Sequence, residues 1–117
     1  MILLHIPDKE KEKAIEKVCK SMKQPVMKIT RADAGKTLGS ILSGKKENRQ
    51  VPPMYQLPEL IIFAGLPDQV LDIFLAAYKA AGIAPVVLKA VVTPYNFGWT
   101  LKDLAAELKK EHHEMSS

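Results

Sequence analysis

The segment Gly35-Lys36-Thr37 matches the end of a phosphate-binding loop, and it is the clearest candidate for chemistry in this sequence. It follows a predicted strand and enters a predicted helix, where backbone amides and the helix dipole attract anions. The first glycine of the full motif is absent, because Thr30 stands at that position. No acidic residue ends the next apolar strand to hold Mg²⁺, because Ala64-Gly65 stands there. Lys36 and Thr37 therefore predict a weak phosphate or nucleotide site at most.

The histidines and the single cysteine show no pattern typical of catalysis or metal binding. His112 and His113 are adjacent, so they point to different sides of a helix, unlike the i, i+4 pairs that bind zinc. His5 alternates with apolar residues on a predicted strand, which is typical of a half-buried, hydrogen-bonded imidazole. Cys19 lies on the apolar stripe of a predicted helix, which indicates a buried thiol. We expect no catalysis, no metal site and no cofactor.

The connection from Thr93 to Thr100 is the second candidate site, because it holds the only Trp beside two further aromatic residues. In one interpretation, Thr93-Pro94 fixes a turn, Asn96 bonds its own backbone and the rings close the end of the core. In the other interpretation, the loop contacts a protein or a small ligand. The candidate contact residues are Thr93, Tyr95, Asn96 and Trp99.

Strand-like and helical patterns alternate four times along the chain, and they indicate the strands and helices that must position these residues. Parallel neighbours need crossover helices, so the alternation predicts a small four-stranded, mostly parallel sheet in βαβαβαβα order, with helices on both faces. The continuously apolar third strand, at 59–65, is typical of a central position. The alternative is a ferredoxin-like α+β plait, in which the third strand runs antiparallel. No internal repeat of fixed period is predicted.

A parallel sheet would place the connections that follow all four strands at one edge. Open α/β sheets bind ligands along that carboxyl edge. The loop at 93–100 would then lie beside the connections at 7–8, 30–33 and 65–68, and this edge would be the candidate binding surface.

The length of 117 residues predicts one domain over residues 1–117, with a flexible loop at 45–58 and a frayed tail at 111–117. The net charge is +4, but the lysines of the first helix alternate with glutamates, which disfavours nucleic acid as a partner. No apolar run approaches the roughly 20 residues that span a bilayer. A single cysteine fits a reducing compartment, so we expect a cytoplasmic protein without a membrane partner and leave a homo-oligomer open.

Several short elements, mostly near the C-terminus, carry a resemblance to a known family. They are Phe63-Ala64-Gly65, Leu71, Leu75, Lys89-Ala90-Val91-Val92-Thr93-Pro94, Asn96, Trp99, Glu107-Leu108 and Glu111-His112, with Thr37-Leu38-Gly39 as an upstream echo. From Glu59 to His112, and more loosely over the whole chain, the sequence resembles an uncharacterised bacterial family classed as a domain of unknown function. The resemblance implies a small stand-alone cytoplasmic domain and brings no activity, cofactor or catalytic residue.

These observations together predict a small non-catalytic binding or regulatory module that contacts a protein or small ligand through the 93–100 loop. The alternative is a weak phosphate or nucleotide-ligand-binding domain centred on the helix start at 35–37.

Overall fold

The computed structural model describes residues 1–46 and 51–116, with side chains as far as residue 114. A short 3₁₀ turn at Arg31–Asp33 precedes the second α-helix. The strands and α-helices are, in chain order, β1 (Ile2–His5), α1 (Lys9–Ser21), β2 (Val26–Lys28), α2 (Leu38–Ser43), β3 (Leu60–Phe63), α3 (Asp68–Ala80), β4 (Leu88–Val91) and α4 (Leu101–Ser116).

The four strands form one sheet in the order β2-β1-β3-β4. The outer pairs β1–β2 and β3–β4 are parallel, whereas the central pair β1–β3 is antiparallel. The predicted α/β class, with a mostly parallel sheet and helices on both faces, is confirmed. The antiparallel central pair is the one feature that the plait alternative anticipated.

The expectation that all four strands end at one edge of the sheet is wrong. Because β1 and β3 run in opposite directions, β3 and β4 end at the edge where β1 begins. The amino group of Met1 accordingly donates a hydrogen bond to the carbonyl oxygen of Ala64, at 3.1 Å. The connections at 7–8 and 65–68 therefore lie at opposite edges, and no common carboxyl edge exists.

Two apolar cores lie on either side of the sheet, because β1 and β3 are apolar at nearly every position. Alternate side chains of a strand point to opposite faces, so Leu3 and Ile62 face one core while Leu4 and Ile61 face the other. Helices α2 and α4 cover the first of these cores with Leu38, Ile41, Leu101 and Leu104. Helices α1 and α3 cover the second with Ile15, Val18, Cys19 and Phe74.

The chain consists of two βαβα units, 2–43 and 60–116, related by an approximate two-fold axis through the β1–β3 pair. Helices α1 and α3 each have 13 residues, and Ile15 and Phe74 are fully buried at the same position within them. The amide of Ile29 donates to the carbonyl of Leu4, and the amide of Val92 donates to that of Phe63. The two units therefore form a structural repeat without a fixed period, which agrees with the expectation of no internal repeat of fixed period. The spacing between matched residues changes along the chain, because the α3–β4 connection is longer than the α1–β2 connection.

The segment between the two units is held by Arg31 where the structure describes it. The Arg31 guanidinium donates to the carbonyl oxygens of Tyr55 and Pro52, at 2.7 and 2.6 Å. Leu57 is buried in the core beneath α2 and α4. Of the predicted loop at 45–58, residues 47–50 lie outside the described residues, and the predicted tail continues α4 through residue 116. None of the described helices combines the length and the apolar character that crossing a bilayer requires.

Cys19 provides a test of how α1 is oriented. Its side chain is fully buried, and this burial raises the pKa of the thiol to about 11. Since the thiolate is the reactive form, a disulfide reagent at about pH 8 should label native protein far more slowly than urea-unfolded protein. The absorbance of the chromophore that the reagent releases measures the labelling rates of the native and the unfolded protein. Equal rates would mean that α1 does not direct Cys19 into the core.

Candidate functional site

The structure brings both predicted sites together into one joint between the two units. The amide of Leu38 donates to the carbonyl of Trp99 at 3.0 Å, and the amide of Leu101 donates to the carbonyl of Lys36 at 2.9 Å. Between these bonds, Thr37 and Thr100 form an isolated antiparallel bridge. We call residues 30–37 the first loop and residues 93–100 the aromatic loop.

A second pair of bonds completes an exchange between the starts of α2 and α4. The amide of Gly39 donates to the carbonyl of Phe97 at 3.0 Å, and the amide of Lys102 donates to that of Ala34 at 2.9 Å. The first amides of an α-helix have no partner within the helix itself. Here the loop that precedes each helix supplies the partners that the other helix lacks.

Because of this exchange, the backbone amides at the start of α2 have partners within the protein and are not available to an anion. The third amide, that of Ser40, donates to Thr37 Oγ1 at 3.1 Å, so the first three amides of α2 are all bonded within the protein. The ammonium group of Lys36 lies 2.9 Å from Asp33 Oδ1. The donors that a phosphate would need at Lys36 and Thr37 are therefore engaged already.

The first loop and the aromatic loop share a polar frame. The amide of Thr30 donates to the carboxylate of Asp33 at 2.9 Å, and the amide of Thr93 donates to the side-chain oxygen of Asn96 at 2.9 Å. Asn96 also donates through Nδ2 to the carbonyl of Val91, at 3.0 Å. Of the predicted contact residues, Thr93 and Asn96 therefore hold the shape of the loop, as the structural interpretation expects.

The two loops differ at two corresponding side chains. Tyr95 and Phe97 occupy the positions that Ala32 and Ala34 occupy in the first loop, because the flanking Thr, Asx and Gly residues correspond in both. The first loop makes the same helix contacts and the same bond between its Thr amide and its Asx side chain without an aromatic residue. The backbone geometry of the aromatic loop therefore does not require these rings.

The three rings of the aromatic loop have different environments. Trp99 is half-buried and packs against the core beneath α2 and α4, whereas Tyr95 is 84% exposed and meets the Trp99 ring edge-on, with centroids 6.2 Å apart. Phe97 is 50% exposed and lies on Gly39, where a Cβ atom would come within 2.5 Å of the ring. Trp99 therefore closes the core, while Tyr95 and Phe97 form a surface.

A shallow groove of about 300 Å³ runs beside Phe97. Its lining residues are Thr37, Gly39, Ser40, Ser43, Lys45, Phe97 and Gly98. Of these residues only Thr37 is in our candidate set, and the omitted ones include Phe97 and Gly39, which contact each other. Phe97 lies within the aromatic cluster of the sequence, so the composition of the loop could have identified it. Gly39 could not be identified in this way, because its role depends on a ring from the other unit.

The remaining candidates for chemistry are the histidines and a metal site. Nδ1 of His5 donates to the carbonyl of Pro58 at 2.8 Å, which confirms the half-buried, hydrogen-bonded imidazole. Over residues 1–46 and 51–116, no group of three or more His, Cys, Asp or Glu side chains is placed to hold a metal ion.

The half-buried position of Trp99 gives a quantitative prediction. Trp99→Ala should lower the free energy of unfolding by about 2–3 kcal/mol, below the cost of removing a fully buried aromatic ring. Urea denaturation measures the loss, with Met54→Ala as a control because Met54 is 89% exposed. A loss no larger than that of the control would show that Trp99 does not pack against the core.

Comparison with known proteins concerns the second unit. No curated protein and no solved structure gives a significant match to the chain. One protein family does match, and it is described as Domain of unknown function (DUF3783), over residues 59–115. The resemblance found from Glu59 to His112 is confirmed for this region. The matched segment contains β3, α3, β4 and nearly all of α4, so the similarity to this family concerns the second of the two units.

Proposed function

We propose that this protein is a small non-catalytic binding module that contacts a partner protein through Tyr95 and Phe97 of the aromatic loop. One observation carries the proposal: two exposed aromatic rings project from a loop whose counterpart makes the same helix contacts with alanines. An aromatic ring in water is an unusual use of apolar surface, and Tyr and Phe are enriched at protein interfaces.

The frame of the aromatic loop supports a binding role. Hydrogen bonds from Thr93, Asn96 and the start of α2 fix the backbone before any partner arrives. A preorganised loop loses little conformational entropy on binding, and a tyrosine side chain has only two rotatable bonds to fix. The Tyr95 and Phe97 rings can therefore serve as rigid anchors.

The groove beside Phe97 has hydroxyl-bearing side chains and one lysine along its rim. An apolar anchor surrounded by a polar rim is the usual composition of a protein interface. The groove is small and open, so a protein surface or a peptide fits it better than an enclosed small ligand does.

The proposal can be tested by photocrosslinking in the cells from which the protein derives. With p-benzoylphenylalanine introduced at position 95, irradiation should give a discrete product of higher mass. The same residue at position 54 is the matched control, because Met54 is also highly exposed but lies outside the loop. Phe97→Ala in the position-95 protein should remove the product, since the second anchor is lost.

A product at twice the mass of the chain would identify a second copy as the partner. Absence of a product, the same products from position 54, or a product unaffected by Phe97→Ala would contradict the proposed surface.

The phosphate or nucleotide alternative makes the opposite prediction about Lys36. Because the ammonium of Lys36 is paired with Asp33 and the first amides of α2 are bonded, calorimetric titration with Mg²⁺-ATP should give no heat of binding. Lys36→Ala should behave identically in the titration. Saturable binding that Lys36→Ala abolishes would establish the alternative instead.

A further inference from the structure

A continuous groove runs between α3 and the edge strand β4, on the sheet face opposite the core that Trp99 closes. Its larger part, of about 460 Å³, lies against Tyr78, Ile83 and Val86. Its smaller part, of about 170 Å³, lies against Phe63, Leu71 and Val91. Leu75 and Lys89 line both parts, so we treat them as one surface and call it the edge groove.

In the first unit, a groove of about 660 Å³ lies at the corresponding position between α1 and β2, and charged side chains line it. Lys28, at the end of β2, lies 2.9 Å from the carboxylate of Glu16 and 3.4 Å from that of Glu12. These ion pairs bridge the edge strand to α1. Charged side chains at a sheet edge are a common means of preventing an unwanted strand from adding there.

In the second unit, apolar side chains replace all three charged residues. Leu71 and Leu75 on α3 correspond to Glu12 and Glu16 on α1, and Val91 on β4 corresponds to Lys28 on β2. Leu75 is 40% exposed and Val91 is 44% exposed. Because the first unit forms the same backbone with charges there, the fold does not require this apolar surface.

Strand β4 lies at the edge of the sheet, and part of its backbone faces away from β3. The amide of Val92 donates inward to the carbonyl of Phe63. Alternate residues of a strand direct their amides and carbonyls to opposite sides, so those of Lys89 and Val91 point outward. The carbonyl of Val91 already accepts a hydrogen bond from Asn96, so an added strand would pair with the two amides and with the carbonyl of Lys89. An exposed sheet edge beside an apolar groove is the arrangement that binds an extended peptide as an added strand.

The charges around the edge groove indicate what kind of strand it accepts. Lys79 and Lys89 both line the groove, and neither has an ion-pair partner among the described residues. Strand β4 (LKAV) has no acidic residue, so a second copy pairing through β4 would bring another lysine and no partner for Lys89. The complement is therefore an acidic strand from another protein.

We propose that the edge groove binds an extended segment of a partner protein as a fifth strand beside β4. The segment carries apolar side chains at alternate positions, which contact Leu75 and Val91, and an acidic side chain that pairs with Lys89. This surface is separate from Tyr95 and Phe97, so it does not rest on the function proposed for the aromatic loop.

Selection from a random linear peptide library on the full chain tests this inference. Enriched peptides should combine alternate apolar residues with Asp or Glu. Leu75→Glu should weaken the binding of a selected, fluorescently labelled peptide by about tenfold or more, which is about 1.4 kcal/mol. Ile73→Glu is the matched control, because it places the same charge at a 59% exposed position of the same helix outside the groove.

Two further measurements separate a specific contact from a loss of folding. Lys89→Glu should reverse the charge preference, so that the library then yields basic peptides, which a merely damaged protein would not do. Hydrogen exchange at the amides of Lys89 and Val91 should slow when the peptide binds, because these amides gain partners.

Failure to enrich any peptide, unchanged charge preference in Lys89→Glu, or equal losses in Leu75→Glu and Ile73→Glu would overturn the inference. Peptides whose binding depends on Tyr95 and Phe97, and not on Leu75, would overturn it as well while supporting the aromatic loop.

Discussion

The exchange of backbone hydrogen bonds between the starts of α2 and α4 is the interaction on which the candidate site depends. The amides of Leu38 and Leu101 are satisfied by carbonyls of the opposite unit, so neither helix start is complete alone. An unpaired buried amide would cost a few kcal/mol. This requirement aligns the two loops, bonds the donors that an anion would use and fixes the backbone from which the aromatic rings project.

Differences between the two units separate structural residues from residues that the fold does not need. Thr93 and Asn96 have counterparts in Thr30 and Asp33 that make the same bonds, so their role is to shape the loop. Tyr95 has only an alanine as its counterpart. The edge strands follow the same logic, since ion-paired side chains line the groove of one unit and mainly apolar side chains line the groove of the other. Both proposed surfaces lie where the second unit departs from the first.

Much of the fold could be predicted from the sequence, because the helices and strands have clear periodic patterns. Cys19 was placed correctly, since its stripe on α1 is apolar at helical spacing. The antiparallel central pair could not be predicted, because the connection at 44–59 carries no periodic signal that sets the direction of β3. The two-unit repeat has no fixed period in the sequence, and its matched core positions carry different residues, as Ile15 and Phe74 do. The contact between Gly39 and Phe97 joins distant segments, and local patterns do not report such contacts.

The central claim is that Tyr95 and Phe97 are additions to a loop that is stable without them. The double variant Tyr95→Ala/Phe97→Ala gives the aromatic loop the alanines of the first loop, and its free energy of unfolding in urea is the most direct measurement. We expect a loss of about 1 kcal/mol, because only the covered half of Phe97 leaves an apolar contact. A loss of about 4 kcal/mol or more, as for a buried aromatic ring, would show that these side chains hold the fold and would contradict the account.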